Sequence, residues 1–202
     1  MAFRLNDDLS SSASGGGDDE LARLKQVLEG GTPVQQKTAL CRLIKLRAEK
    51  ILVECLSSKN SAAVRLATEG LWECWLGERG QAARREMEKG IERMNSGDLA
   101  GAMRIFAKLT EKYPDWAEAQ NKQATALYLL GNARLSLRIC QAVVELKPHH
   151  FGAWNGMALC AAQLGRWRLA LDAAQKGLSL LPTAQANRDL IQLAQSKLDE
   201  GE

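Results

Sequence analysis

Between Gln185 and Leu198, Leu190, Ile191, Ala194 and Leu198 recur at three- and four-residue intervals. The intervening Asn187, Arg188, Asp189, Gln192, Gln195 and Lys197 are polar. That spacing puts the apolar residues on one stripe of an amphipathic helix. Helical spacing also governs VRLATEGLWECWL, where Trp72 and Trp75 lie three apart on one face beside Leu71 and Leu76. A tryptophan pair in that position is expected to be core, packed against the first of three repeats that follow it in the chain, because each ring removes a large apolar area from water. Start signals agree with these helices. Thr32-Pro33 with Gln35 is an N-cap, a first-turn proline and a capping-box partner, and Asn60-Ser61 opens the next helix. Asp98, Asn132 and the pair Asp115/Glu118 are expected to cap later helices.

A longer period is superposed on the helical one. Pro114, Pro148 and Pro182 are each 34 residues apart, and Gly97, Gly131 and Gly165 keep the same interval. Each proline stops a helix, since it lacks the backbone N–H that the next turn needs. Each glycine lets the chain leave the preceding helix with positive φ. Two ladders in register describe a helix–turn–helix unit used three times: Ala83–Trp116, Ala117–His150 and Phe151–Ala184.

The unit resembles the tetratricopeptide repeat (TPR). Small residues occupy the family's two tight-contact positions: Gly90, Ala124 and Ala158 at one, Ala102, Ser136 and Ala170 at the other. Trp154, Trp167 and Phe106 fill aromatic positions. Lys89 and Arg93 depart from the pattern, which expects Leu and Tyr and so implies a first helix that is more exposed or packs differently on what precedes it, and Cys140 replaces an aromatic. WAEAQNKQATALYLLG and PHHFGAWNG further resemble short TPR proteins of bacteria and plants. The implied fold is an all-α, right-handed α–α superhelix, with Gln185–Leu198 as its terminal capping helix before a short tail to residue 202.

Residues 19–82 are expected to be helical without the 34-residue period. Aligned 28 apart, Leu28 matches Leu56, Ala39 matches Ala67 and Leu43 matches Leu71. NSAAVRLATEGL resembles HEAT-type helical hairpins, and a plain helical lead-in is the alternative. Residues 1–18, rich in Ser, Gly and Asp, are expected to form a disordered tail.

The resemblance implies that function lies on the concave face lined by the first helix of each repeat. Its positions here are Arg84, Met87, Ile91, Met94 and Asn95, then Glu118, Asn121, Thr125, Tyr128 and Leu129, then Gly152, Asn155, Leu159, Ala162 and Gln163. Asn121 and Asn155 stand one repeat apart and form a column able to bond an extended peptide backbone. The expected partner is therefore a protein or peptide, with this chain as adaptor, scaffold or assembly factor. A subclass of the family clamps the C-terminal carboxylate of heat-shock chaperones with Lys, Asn and Arg. Met87, Ile91, Lys122, Gly152 and Gly156 stand at those positions, which argues against such a partner.

Composition narrows the choice. A net charge of +3 gives no reason to invoke nucleic acid or membrane. Arg104, Arg134, Arg138 and Arg168 nevertheless form a basic outer stripe, which keeps an RNA-binding alternative open. The five cysteines form no CxxC pair and are expected to be small buried apolar residues in a reducing compartment. No stretch has a secretory h-region or the length of a membrane span, and the acids near the start are unlike a transit peptide. The expectation is a soluble intracellular protein, cytoplasmic or, if an upstream transit peptide is missing, in the matrix of a chloroplast or other organelle. His149 and His150 sit in an inter-repeat loop with no ligand set nearby in sequence, so they are expected to serve loop structure and helix capping. No nucleophile, phosphate-loop or zinc motif occurs, and neither enzymatic activity, cofactor nor metal is expected.

Overall fold

The computed structural model describes residues 16–200, which form eleven helices. They are α1 (Gly16–Gly30), α2 (Pro33–Lys45), α3 (Glu49–Cys55), α4 (Ser61–Leu76), α5 (Gly80–Asn95), α6 (Leu99–Lys112), α7 (Ala117–Leu129), α8 (Ala133–Leu146), α9 (Phe151–Gln163), α10 (Trp167–Leu180) and α11 (Gln185–Asp199). α1 begins at Gly16, inside the stretch 1–18 expected to be a tail, and the rest of that stretch, 1–15, lies outside the described residues, as do 201–202.

Turn chemistry sets the helix ends. Gly97, Gly131 and Gly165 all have positive φ. At Gly131, the N–H of Asn132 reaches the carbonyl of Leu127 and that of Gly131 the carbonyl of Tyr128, a Schellman closure. Arg47 makes the same closure after α2 at φ 50°, unusual for a side-chain-bearing residue, and its guanidinium donates to the carbonyls of Gly77 and Glu78. Thr32, Asn60, Asp98 and Asn132 cap their helices as anticipated. The Asp115/Glu118 box does not form. Trp116 occupies that N-cap, Asp115 pairs with Arg79, and Glu118 points inward.

The small positions explain the close pairing of helices within each repeat. A Cβ on Gly90 would meet the Phe106 ring at 2.5 Å, and the Ser136 hydroxyl donates to the Ala124 carbonyl at 2.7 Å. The first helices α5, α7, α9 and α11 touch their successive neighbours, whereas α6, α8 and α10 spread apart. The array therefore curves with its first helices on the inside. α11 covers α9 and α10 through Leu190 and Ala194, and Asn187 joins that face beside Gly177.

The four N-terminal helices make two hairpins, α1–α2 and α3–α4, around Leu28, Leu43, Leu52, Leu56 and Leu71. All three residue pairs matched 28 apart are buried. These hairpins do not stack ahead of α5. Trp75 is fully buried and stacks on His150, ring centroids 4.2 Å apart, while Trp72 meets Phe151 edge-on. The tryptophans thus pack at the junction of the second and third repeats. Contact with the end of the first repeat comes through Trp116, whose indole N–H donates to the Trp75 carbonyl at 2.7 Å.

Candidate functional site: the inner face and the helix that shares it

α4 runs along the inter-repeat loops and reaches over the first turns of the inner helices. At its C-terminal end Glu73 takes a two-point ion pair from Arg84 on α5. One residue earlier, the Trp72 ring lies 5.1 Å from the Lys122 ammonium on α7. Trp72 also stands where a Cβ on Gly152 of α9 would be, with 2.7 Å between them, so only glycine leaves room for the ring. At the other end of α4, Val64 and Thr68 border a cavity of about 580 Å³ opposite Leu181 and Thr183.

This arrangement decides the fate of the predicted groove residues. Met87 is buried among Ala83, Phe106 and Trp116. Glu118 and Asn121 are buried too, the Asn121 amide donating to the Glu118 carboxylate at 3.0 Å. These three lie in the interior, so they offer no surface to a partner, and the asparagine column is broken. Arg84 is engaged by Glu73 and Glu88. Asn155 is half-buried, and its Oδ1 makes no hydrogen bond among the described residues. Ile91, Thr125, Tyr128 and Leu159 are half-buried on the inner face, and Gln163 is exposed. The Thr125 hydroxyl donates to the Asn121 carbonyl.

The histidines carry the seam. His150 Nδ1 accepts from the Ala153 N–H at 3.1 Å and caps α9. That leaves Nε2 as the protonated nitrogen, and it donates to Glu118 at 3.0 Å. Lys122 Nζ lies 3.2 Å from the other Glu118 oxygen, near enough for an ion pair though off-line for a hydrogen bond. Burial opposes ionisation of Glu118 most strongly, but His150 and Lys122 outweigh it and hold the carboxyl below its ordinary range. His149 and Lys147 meet Glu49 on α3 in the same way, and the Trp75 indole donates to that carboxylate. Burial again opposes ionisation, and these three donors bring Glu49 down to about 2. The loop and capping role expected of the histidines is present, but their glutamate partners lie 32 and 100 residues away in sequence. Among the described residues, no three His, Cys, Asp or Glu side chains gather closely enough to hold a metal ion. Cys55, Cys74, Cys140 and Cys160 are buried as expected, whereas Cys41 is exposed. Burial pushes the thiols of Cys55 and Cys74 up to about 11, which keeps them protonated and unreactive.

No family model matches the chain. A TPR repeat-containing protein of Rhizobium etli is 33% identical over 85 residues, which is 42% of this chain and 42% of that protein. Solved structures extend the likeness. The first TPR of Spaghetti (RPAP3), bound to the HSP90 peptide SRMEEVD, covers 56% of this chain and 90% of its own at TM-score 0.55 and 18% identity. The Sgt2 TPR domain from Aspergillus fumigatus matches 58% and 79% at 0.56 and 15% identity. The P58(IPK) TPR domain covers 92% of this chain and 56% of its own at 0.53 and 14% identity. The chain has the fold of a TPR solenoid.

In a TPR solenoid the inner face is one continuous surface, and here it is split lengthwise. The half nearest the inter-repeat loops is taken by α4. The other half, toward the C-terminal ends of the first helices, is open and largely apolar. Ile91, Met94, Tyr128 and Leu159 are half-buried there, and Leu129 and Leu193 are 52% and 44% exposed. Leu193 lies one 34-residue step beyond Leu159, so α11 prolongs the row. The family's groove positions supplied Ile91, Met94, Tyr128, Leu129 and Leu159 of that row, whereas Leu193 on α11 was not among the residues expected there. The closed half could not be found that way, because it depends on α4 folding back across the array. No helix among the described residues is long and apolar enough to cross a membrane.

Proposed function

We propose that the protein is an interaction module that holds an apolar segment of another protein against the open half of its inner face, as an adaptor or assembly factor. The observation that carries this is the row of half-buried Ile91, Tyr128 and Leu159 with exposed Leu129 and Leu193, which continues across the repeats beside a half already filled by α4. Exposed apolar residues aligned in this way mark association surfaces. Support comes also from solved TPR neighbours whose structures hold chaperone peptides, among them the first TPR of Spaghetti with an HSP90 peptide.

The class of peptide differs in this reading. Of the positions that clamp a chaperone carboxylate, Gly152 is covered by Trp72, Met87 is buried and Lys122 faces Glu118 and Trp72. The peptide SRMEEVD should therefore show no saturable binding, and saturable binding would overturn the exclusion of that partner class. The groove itself is tested with Leu129→Glu combined with Leu193→Glu, both on exposed positions. Proteins crosslinked to the wild-type chain in native extract should be lost from this variant while its helical circular dichroism is unchanged. Retention of the same set would refute the groove.

A second reading has its own observation. Arg104, Arg134, Arg138 and Arg168 are all exposed on the second helices. RNA binding through this stripe predicts a steep loss of affinity as salt rises and its abolition by Arg134→Glu with Arg138→Glu.

A further inference from the structure

The N-terminal hairpins lie on the loops and the inner face, so they leave the leading side of α5–α6 uncovered. On the opposite side of that helix pair, α7 packs into the equivalent groove. The free groove is a cavity of about 450 Å³ whose floor is Ile105, Leu109 and Tyr113 and whose rim carries Arg85, Lys108 and Lys112. Lys108 and Lys112 belong to a series, Arg104, Lys108, Lys112, spaced four apart on one face of α6 and all exposed. Like charges at that spacing repel and cost an isolated helix stability. Arg85, Arg104, Lys108 and Lys112 make no ion pair among the described residues, and the rim's carboxylate, Glu86, is already bonded to Lys89 at 2.7 Å. α6 thus bears a cationic ladder without an ion-pair partner among the described residues, beside an apolar slot open at the end of the array.

We infer that this slot is a second docking site, independent of the inner face, which takes an acidic amphipathic helix of another protein. The helix would lie where a preceding repeat would otherwise stack, with its apolar stripe on Ile105 and Leu109 and its carboxylates on Arg85, Lys108 and Lys112. The apolar floor distinguishes this occupant from RNA, which would use the cations alone. A second copy of the chain fits poorly. The helix at the other end of the array turns exposed polar side chains outward (Gln185, Asp189, Gln192 and Ser196) and has no apolar stripe to offer.

The probe is a fluorescein-labelled synthetic helix with leucines at every third and fourth position and glutamates on both flanks, titrated with the full chain and followed by anisotropy. Saturable binding is expected, weakened about tenfold or more by Lys108→Glu with Lys112→Glu, since like-charge juxtaposition then replaces attraction to the peptide's glutamates. Adding Arg85→Glu should transfer the preference to a lysine-flanked version of the same peptide. All three positions are exposed, so the variants should keep the wild-type circular dichroism and melting temperature. Leu129→Glu with Leu193→Glu should leave the affinity unchanged, and a loss there would move the peptide to the inner face and end the inference. It also fails if a scrambled peptide of equal charge, or a single-stranded RNA oligonucleotide, binds as well as the helix. Self-association abolished by the charge reversals would equally overturn it in favour of a second copy.

Discussion

His150 shows how much one side chain can do at a crossing point. It caps α9, donates to a buried glutamate and stacks under Trp75, with no solvent exposure. Its neighbour His149 repeats the motif nearer the surface by bonding Glu49. The two carboxylates give the seam a defined acid sensitivity. Glu49 titrates at about 2 when folded against an ordinary 4.5, so its depressed pKa is a stabilising contribution fully present above pH 4.5 and lost as the pH falls toward 2. Glu118 acts in the same direction. Glu49→Gln should therefore lower stability at pH 7 and flatten the fall in stability between pH 4.5 and 2. Urea unfolding across that range measures both effects, and an unchanged slope would show that Glu49 is not the titrating group. A pair of adjacent histidines read locally has no partners. Its chemistry lies entirely in residues that only the folded chain brings near.

At the scale of elements, α4 was legible as a helix but not as an occupant. Asn60 capping, the apolar run and the tryptophan pair all announced its ends and its buried face. Its destination was misplaced: the tryptophans were expected on the first repeat and sit on His150 and Phe151 instead, because periodicity says which side of a helix is apolar and nothing about which neighbour it covers. The repeat helices were different. The 34-residue period sets their register and the resemblance to the TPR family assigns the packing positions, so those of Gly90, Ala124, Phe106 and Ala170 could be named in advance. Of the residues expected on the inner face, Ile91, Tyr128 and Leu159 are half-buried, while Met87, Glu118 and Asn121 are buried where α4 and the repeat core close over them. Trp75→Ala tests the seat of α4 directly. Removing a fully buried indole costs about 3–5 kcal/mol and strips the contact with His150. The expected result is early trypsin cleavage within 47–79, with the repeats persisting as a resistant fragment. Simultaneous loss of both regions would show that they do not separate.

Across the whole molecule, the two ends of the array are finished differently. α11 closes the C-terminal end with a polar outer face over Ala161, Ala170 and Ala174. Ending the chain at Ala184 should uncover that surface, lower the melting temperature and produce concentration-dependent association on gel filtration. A truncated chain that stayed monomeric with the same melting temperature would show that α11 is dispensable. The leading end instead keeps its apolar slot and cationic rim.

A solenoid coupled only between neighbouring units behaves like a spring. It can stretch, twist or fray from its ends with little resistance. α4 changes that by bonding to three successive first helices at once, through Glu73 to α5 and Trp72 to α7 and α9. It is a rigid strut laid along a coil. Opening or tightening the inner face would therefore have to break or shift these contacts, a cost that a solenoid without such a strut does not carry.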